Sequence, residues 1–413
     1  MKSIRDIPLR HQTVFLRVDF NVPLDDKQNI TEDGRIKAAL PTIEYLLQKK
    51  AKVVIGSHLG RPKGKVVEEL RLLPVAKQLG KYLGQEIHYV DDVIGEEVAK
   101  TKERLEYGEV MLLENLRFYP QEEDNDLKFA EQLAEGIDVY ITDAFGVVHR
   151  KHASTFGLPS LVFDKAPGFL IEEEIDALDK IVDKPEQPFV VVIGGIKISD
   201  KVDVIRNLAP VADIVLVGGG VANAFLKGLG NDIGASIVED TKKGKEEVDY
   251  AKVAVEIWHR FETEKTSFDL TLPDGKPLTK ILPPLDFIAA QNTEDGAATR
   301  IIEVGEKVPK GWMFLDIGPK TRQLYSDVLG QAKTIFWNGP MGLFEMDEYA
   351  QGSHAIAEAI AESDGYAVLG GGDTQVVVDK FGLSGRYSHI STGGGASLTY
   401  LAQKDIPGLD ALD

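Results

Sequence analysis

Short runs of β-branched residues recur along the chain, and each run ends in a loop that precedes a segment with helical periodicity. Such alternation predicts βαβ units and parallel sheets. With their loops, the runs are TVFLRVDFN, KVVIGSHLGRP, VMLLENLRF and VYITDAFGVVHR in the first half, and FVVVIGGIKISDK, DIVLVGGGVANAF, TIFWNGPMGLFE and YAVLGGGDT in the second. Ligands bind beyond the carboxyl ends of parallel strands, so we expect the functional residues in these loops.

The loops of the two halves differ in composition. Those of the first half carry arginine, histidine and acidic side chains, whereas those of the second half are rich in glycine. This contrast predicts an α/β fold with two doubly wound, Rossmann-like parallel-sheet domains of different binding chemistry. The boundary is expected at 166–188, where an amphipathic helix is followed by Pro185 and Pro188. We interpret the charged segment 239–265 as a helical stretch with a solvated face.

Basic side chains of the first half form a candidate anion site. A lone arginine in a loop is usually a solvated surface charge, and a lone histidine is usually structural. Neighbouring parallel strands, however, bring their loops to one crevice, where several guanidinium groups repel one another unless a multivalent anion binds between them. Asp19 and Asn21 suit a hydroxyl or an amide, so a small hydroxylated, phosphorylated acid fits the mixture. The basic residues are Arg17, Arg35, His58, Arg61, Arg117, His149, Arg150 and His152.

The glycine-rich loops of the second half form a candidate phosphate site. Glycine between a strand and a helix lets backbone N–H groups approach a phosphate, although a single glycine pair often makes only a tight turn. Asp373 adds a hard oxygen ligand that suits Mg²⁺. Lys197 and Lys201 follow the first of these loops, and would share one face if the segment is helical. The alternative for both is an ordinary surface lysine.

Several function classes are disfavoured by what the sequence lacks. It contains neither GxxxxGK[ST] nor a GxGxxG that follows a strand, which argues against a Walker-type P-loop and against a dinucleotide-dependent dehydrogenase. It has no cysteine, and its formal net charge of -19 argues against nucleic-acid binding. The apolar runs are too short to cross a membrane, and no signal peptide is evident, so we expect a cytoplasmic protein without membrane contact.

Longer motifs give a specific resemblance. In order along the chain, between residues 16 and 398, stand RVDFNVP, SHLGRPKG, LLENLRF, WNGPMG, GGGDT and STGGGASL. Together they resemble the phosphoglycerate kinases. The resemblance implies reversible, Mg²⁺-dependent phosphoryl transfer between 1,3-bisphosphoglycerate and ADP, which gives 3-phosphoglycerate and ATP in glycolysis or gluconeogenesis. It also implies two domains with a cleft between them.

The resemblance implies a domain organisation and a triose site. We expect a triose-binding domain at 1–169, an interdomain helix at 170–185, a nucleotide-binding domain at 186–390, and a segment 391–413 that returns towards the first domain. His149 and His152 are expected at the outer part of the basic patch, where they support its positive potential. The residues implied to bind the triose are Asp19, Phe20, Asn21, Arg35, His58, Leu59, Gly60, Arg61, Arg117 and Arg150.

The nucleotide site is implied in the same way. Asp373 would hold Mg²⁺, while Ile196 and Phe314 depart from the family's common pattern beside the adenine. The residues implied to bind the nucleotide are Gly195, Lys197, Lys201, Gly219, Gly220, Phe314, Leu315, Asn338, Pro340, Glu345, Gly371, Gly372, Asp373 and Thr374.

Direct in-line transfer needs no nucleophilic side chain. We therefore assign catalysis to Arg35 and Lys197 on the transferring phosphoryl group, and to backbone N–H groups at Gly394 and Gly395. Transfer between two domains also predicts hinge closure, and the family implies a monomer. The alternatives are an inactive binding protein that keeps the fold, and a kinase for a different carboxylic acid.

Overall fold

The computed structural model describes residues 1–239, 248–294, 296–403 and 405–413. The chain divides into two compact units, Met1–Asp176 with Asp405–Asp413, and Ala177–Lys404. Within the described ranges, every helix is too short or too polar to span a bilayer. The ligand assigned to each unit, and the domain limits expected from the sequence, stay predictions.

The first unit contains a parallel sheet in the order β3-β4-β2-β1-β5-β6. Its strands are β1 (Thr13–Val18), β2 (Lys52–Gly56), β3 (Ile87–Tyr89), β4 (Val110–Leu112), β5 (Val139–Asp143) and β6 (Asp164–Pro167). Its helices are α1 (Gly34–Gln48), α2 (Leu73–Leu83), α3 (Glu96–Arg104), α4 (Pro120–Glu123) and α5 (Leu127–Ala134). The helix α6 (Phe169–Val182) continues into the second unit.

The second unit contains a parallel sheet in the order β15-β14-β13-β7-β8-β9, and an antiparallel sheet in the order β11-β10-β12. Its strands are β7 (Phe189–Ile193), β8 (Ile214–Val217), β9 (Ile281–Leu282), β10 (Asp286–Ala290), β11 (Arg300–Glu303), β12 (Met313–Ile317), β13 (Thr334–Asn338), β14 (Tyr366–Gly370) and β15 (His389–Ile390). Its helices are α7 (Val202–Leu208), α8 (Gly219–Gly228), α9 (Tyr250–Phe261), α10 (Pro319–Leu329), α11 (Gln351–Glu362), α12 (Gly372–Lys380) and α13 (Gly395–Leu401). The chain ends with α14 (Pro407–Asp410), part of the first unit.

The central strands are apolar because both faces of each parallel sheet are covered. Every residue of β7 and of β13 is buried, as expected for strands that lie between two layers of helices. The two α/β domains with parallel sheets that the sequence predicts are therefore confirmed. The antiparallel sheet was not predicted, because its strands lie among polar turns and do not share the strand–loop–helix pattern.

Strand order reverses once in each parallel sheet. In the first, β2 and β5 lie on opposite sides of β1. In the second, β8 and β13 lie on opposite sides of β7. At such a reversal the loops leave in opposite directions and open a crevice beyond the carboxyl ends of the strands. The functional residues of both units should therefore be sought beyond β1 and β7.

The segment 239–265 is only partly as expected. Residues 240–247 lie outside the described part of the chain. Beyond them α9 is helical, but it is not merely a solvated face, since it buries Tyr250, Ala254, Ile257 and Phe261. The many charged residues of this segment are interspersed with an apolar stripe that has the period of a helix, and the stripe is the part that packs against the unit.

Candidate functional site

Four arginines gather at the carboxyl edge of the first sheet. Positive charge from Arg17, Arg35, Arg117 and Arg150 acts together on the buried ring of His58. We call these four arginines, with His58, His149 and His152, the arginine cluster. The structure thus brings together most of the basic residues singled out in the sequence, while Arg61 is solvent exposed.

Arg17 is held inside the unit by a buried chain of polar groups. It lies on β1, is fully buried, and donates from Nε to Ser154 Oγ at 2.8 Å. Ser154 Oγ donates to Glu122 Oε1 at 2.6 Å, and Ser154 N donates to Glu122 Oε2 at 2.9 Å. At the other end of the guanidinium group, Arg17 Nη2 lies 3.4 Å from His58 Nδ1. Glu122 and Ser154 therefore fix the arginine that contacts His58.

Asp19 and Asn21 follow β1 and connect it to the neighbouring loops. Asp19 forms an ion pair with Arg35 and lies 3.9 Å from His58 Nδ1. Asn21 Oδ1 accepts the backbone N–H of Gly60 at 2.8 Å. With its carbonyl oxygen used in this way, Asn21 would meet a ligand as a donor.

The predicted residues Phe20, Leu59 and Gly60 shape the site through packing and main chain. Phe20 is fully buried, and its N–H donates to Ser57 Oγ at 2.9 Å. Leu59 is buried as well. Gly60 has φ +63°, where a side chain would be strained, and its carbonyl accepts from Arg117 at 3.0 Å. None of the three has a charged side chain, so they contribute shape and backbone groups to the site, whereas the arginines contribute charge.

Two arginines of the cluster carry buried Nε atoms without a hydrogen bond. Among the described residues, neither Arg117 Nε nor Arg150 Nε is hydrogen bonded, although Arg117 Nε lies 3.5 Å from Glu123 Oε1 in an ion pair. Burial, together with the charges of Arg17 and Arg150, lowers the pKa of Arg117 to about 10. Arg117 is still protonated at neutral pH, so the Nε–H groups that make no hydrogen bond and the mutual repulsion of the guanidinium groups both favour an anion at this place.

The histidines do not add positive charge at neutral pH, which corrects the expectation for His149 and His152. Burial and the neighbouring Arg150 lower the pKa of His149 to about 4. Burial and the surrounding arginines lower the pKa of His152 to about 3, and that of His58 falls well below its usual range. Arginine alone therefore supplies the positive potential, because imidazole loses its proton more readily than guanidinium does.

The glycine loops of the second unit pack main chain against main chain beyond β7. Gly195 N donates to the Pro340 carbonyl at 2.7 Å, and Gly219 N donates to the Met341 carbonyl at 3.0 Å. A Cβ atom added at Gly194 would lie 2.1 Å from the Pro340 oxygen. Backbones can approach this closely only where side chains are absent, which explains the glycines after β7 and β8.

These loops wall a cavity of about 190 Å³. Phe287 and Phe314 also line this cavity, and their rings are stacked with ring centroids 4.1 Å apart and an interplanar angle of 6°. Ile196 also lines the cavity and is 62% exposed. Predicted nucleotide residues that line it are Gly195, Gly219, Gly220, Phe314, Leu315, Pro340, Glu345 and Asp373.

Other predicted residues support the loops rather than the cavity wall. Thr374 Oγ1 accepts Gly339 N at 2.7 Å and donates to the Gly370 carbonyl at 2.9 Å. Asn338 Nδ2 donates to that same carbonyl at 2.7 Å. Gly371, with φ +95°, and Gly372 then begin α12. These contacts place the first turn of α12 at the carboxyl edge of the sheet.

The two predicted lysines differ from each other. Lys197 is exposed, whereas Lys201 is partly buried. Burial lowers the pKa of Lys201, and the negative charges of Asp200 and Asp373 act in the opposite direction. Residues 197–201 are not helical, since a bend at 198 and a turn at 199–201 precede α7, which begins at Val202. The condition under which both lysines would share one helix face is therefore not met. Lys201 is thus brought within electrostatic reach of Asp373 by the turn.

Gly394 and Gly395 open α13, which follows the edge strand β15. Gly394 has φ +52°, a conformation that favours glycine. Ser391 Oγ accepts Gly393 N at 3.2 Å and is hydrogen bonded to Ser397 Oγ at 2.6 Å. Both glycines therefore lie at the carboxyl edge of the second sheet, on a turn braced by two serines.

Asp316 is a buried residue of the cavity that no sequence motif predicted. It is buried, lines the cavity, and accepts Gly352 N at 2.6 Å and Ile317 N at 2.9 Å. Burial raises its pKa to about 7. A lone acidic residue inside the apolar strand MFLDI was the available signal, whereas Glu122, within an acidic run, gave none.

The donor set fits a magnesium ion that arrives with its phosphates. Within the described ranges, no three His, Cys, Asp or Glu side chains are grouped so that they could hold a metal. Asp373 is exposed in the first turn of α12 and lines the cavity. Mg²⁺ is commonly bound by one or two carboxylates together with substrate phosphates and water, and a single carboxylate here meets that requirement.

Known proteins resemble this chain over its full length. The family model for phosphoglycerate kinase matches residues 4–404. A phosphoglycerate kinase of Moorella thermoacetica is 48% identical over 410 residues, which cover 99% of this chain and 98% of that protein. The solved phosphoglycerate kinase structures of Coxiella burnetii and Pyrococcus horikoshii OT3 have TM-scores of 0.84 and 0.82. Each is 35% identical, and each comparison covers 100% of this chain and 98% of the other.

Replacing Ser154 with alanine should destabilise the first unit. The change leaves Arg17 Nε and one oxygen of buried Glu122 without a partner, which costs about 1–3 kcal/mol. Urea unfolding of Ser154→Ala should show this loss. The control is Ser160→Ala, since that exposed hydroxyl donates only to the Gly157 carbonyl. Equal unfolding midpoints for the two variants would contradict a structural role for the buried chain.

Replacing His152 with glutamine should flatten the pH dependence of stability. The pKa of His152 is about 3 in the folded state, against an ordinary 6.5, so the unfolded state takes up the proton first as the pH falls. Wild-type stability from this group is complete above pH 6.5 and is lost progressively below it. The difference in melting temperature between wild type and His152→Gln should change between pH 7 and pH 4.5. Parallel curves would show that His152 is not held neutral.

Proposed function

Because the chain belongs to the phosphoglycerate kinase family, we propose that the arginine cluster binds the triose substrate and that the glycine-walled cavity binds the nucleotide. The reaction is reversible phosphoryl transfer between 1,3-bisphosphoglycerate and ADP, which gives 3-phosphoglycerate and ATP. It is a step of glycolysis, and enzymes of the family depend on Mg²⁺.

The buried guanidinium nitrogens that make no hydrogen bond carry the assignment of the triose site. Arg117 and Arg150 offer buried N–H groups to an anion. Asp19 would accept from the substrate hydroxyl, and the Asn21 amide would donate to a substrate oxygen. Neutral His58 can accept or donate without adding charge. The proposed triose residues are Asp19, Phe20, Asn21, Arg35, His58, Leu59, Gly60, Arg61, Arg117 and Arg150.

Flat apolar walls and exposed backbone support the nucleotide assignment. The rings of Phe287 and Phe314 and the glycine loops suit a planar base, and the start of α12 suits phosphates. The proposed nucleotide residues are Gly195, Lys197, Lys201, Gly219, Gly220, Phe314, Leu315, Asn338, Pro340, Glu345, Gly371, Gly372, Asp373 and Thr374. Asp373 would hold Mg²⁺ at the nucleotide phosphates, and the ion would neutralise part of their negative charge.

Transfer requires alignment and charge neutralisation rather than a protein nucleophile. In the direction of ATP use, a carboxylate oxygen of 3-phosphoglycerate attacks the γ-phosphorus, and the bond to the β-phosphate oxygen breaks, so that ADP leaves with the electron pair. We assign Arg35 and Lys197 to the phosphoryl oxygens as cationic donors, and Gly394 and Gly395 to them as backbone donors. Because no side chain accepts the phosphoryl group, geometry and electrostatics account for the rate.

Three further properties remain proposals. Direct transfer requires the bound substrates to meet, so hinge closure when both are bound stays a prediction, with α6 as its lever. Monomeric state and cytoplasmic location are proposed from the family resemblance.

The triose assignment predicts an effect on the KM for 3-phosphoglycerate at Arg150 and none at the neighbouring Lys151. Arg150→Ala removes a charge-assisted donor and should raise the KM for 3-phosphoglycerate by about tenfold to a hundredfold, with the KM for ATP unchanged. Lys151→Ala is the matched control, since Lys151 is exposed and lies over the Phe156 ring at 4.3 Å. A coupled assay with 3-phosphoglycerate, ATP and Mg²⁺ measures both constants. Equal effects from both positions would refute the assignment.

The catalytic assignment predicts losses in kcat. Arg35→Ala and Lys197→Ala should each lower kcat by about a hundredfold or more, because each removes a donor that acts on charge in the transition state. Both side chains reach solvent, so folding should be retained. Near-normal kcat at saturating concentrations of both substrates would show that the residue does not contact the transferring group.

A further inference from the structure

Asn223 is a buried polar residue of the cavity for which the reaction has no role. It lies on α8, one turn beyond the glycines that begin the helix, and is 4% exposed. It lines the cavity together with Ile237 and Phe314. An amide at such an apolar place is expected to have hydrogen-bond partners for both its donor and its acceptor.

Only the donor of Asn223 has a partner. Nδ2 donates to the Ile237 carbonyl at 2.8 Å, while buried Oδ1 accepts no hydrogen bond from the part of the chain that the structure describes. The carbonyl of Ile237 can only accept, so the amide cannot be turned over without bringing two oxygens together. Asn223 therefore offers an acceptor whose orientation is fixed.

Among the described residues that line the cavity, the other buried side-chain acceptor is Asp316, which is already used. Both carboxylate oxygens of Asp316 accept backbone N–H groups, from Gly352 and Ile317. Glu345 and Asp373 are exposed, so water satisfies their oxygens. A hydrogen bond to Asn223 Oδ1 would therefore contribute most to the binding free energy of a ligand, because it removes the cost of a buried acceptor that has no partner.

We propose that Asn223 Oδ1 accepts a hydrogen bond from the 6-amino group of the purine and makes the cavity prefer 6-aminopurine to 6-oxopurine nucleotides. The inference rests on the proposed nucleotide site in this cavity. A 6-oxo group would set an acceptor against an acceptor, and the bond to Ile237 prevents the amide from turning over to put Nδ2 in the place of Oδ1. Ile237 is 63% exposed, so its side chain can move to admit the edge of the base.

The test combines a change in the protein with a change in the ligand. Wild type and Asn223→Leu are each assayed with ATP, with the purine riboside triphosphate that has hydrogen at C6, and with inosine triphosphate. Wild type should favour ATP over the C6-hydrogen analogue in kcat/KM by about two- to tenfold, the contribution of one hydrogen bond, and inosine triphosphate should be poorer still. In Asn223→Leu the three values should agree within about twofold, because neither partner remains.

Asn231→Leu is the matched control. Asn231 follows the same helix and donates to the Leu226 carbonyl, but it does not line the cavity. It should keep the wild-type preference among the three nucleotides. The KM for 3-phosphoglycerate should be unchanged in both variants, since the proposed triose residues lie in the first unit.

Two results would overturn the proposal. If the wild-type kcat/KM values for ATP and the C6-hydrogen analogue are equal, no acceptor in the cavity binds the amino group. This measurement needs only the wild type, so it is valid even if Asn223→Leu fails to fold. If Asn223→Leu keeps the full preference, another group is responsible. Ile196→Trp separates this failure from failure of the nucleotide site itself. A large side chain at that exposed position should raise the KM for ATP, and an unchanged KM would show that the nucleotide binds elsewhere.

Discussion

The reversal of strand order at β1 and at β7 is the constraint on which the rest of the structure depends. Because neighbouring strands run parallel and their connections leave to opposite sides, the loops after them spread apart beyond the sheet. That geometry brings Asp19, His58 and Arg150 together in the first unit, although they are far apart in sequence. It brings Gly195 and Pro340 into hydrogen-bond contact in the second.

Electrostatic repulsion is balanced within the arginine cluster by features that the sequence does not display. Buried Glu122 acts on Arg17 through Ser154, and Asp19 pairs with Arg35. The histidines stay neutral because burial and the arginines disfavour their charged forms. Neutral imidazoles let four guanidinium groups approach one another with fewer like charges, and their remaining N–H groups suit an anionic substrate.

The second unit uses the opposite chemistry. Its glycines let backbone segments pack at distances that a Cβ atom would forbid, as Gly194 shows against Pro340. Side chains then act at a few places: Phe314 gives a flat wall, and Asp316 ties β12 to the start of α11. The exposed Asp373 would suit an ion shared with a nucleotide in the proposed site.

The sequence by itself determined the two parallel-sheet domains, the arginine-rich and glycine-rich loops and the family, because strand periodicity and contiguous motifs are local properties of the chain. Only the tertiary structure decided that Glu122 is buried against Ser154, that His149 and His152 are neutral, and that Asp316 and Asn223 line the cavity. Burial and partnership depend on residues that meet only after folding. Glu122 lies within an acidic run that predicts a solvated surface, and Asn223 lies in a helical segment, 221–226, that is buried on all sides. The antiparallel sheet β11-β10-β12 was not predicted because its strands lie among polar turns and lack the strand–loop–helix pattern.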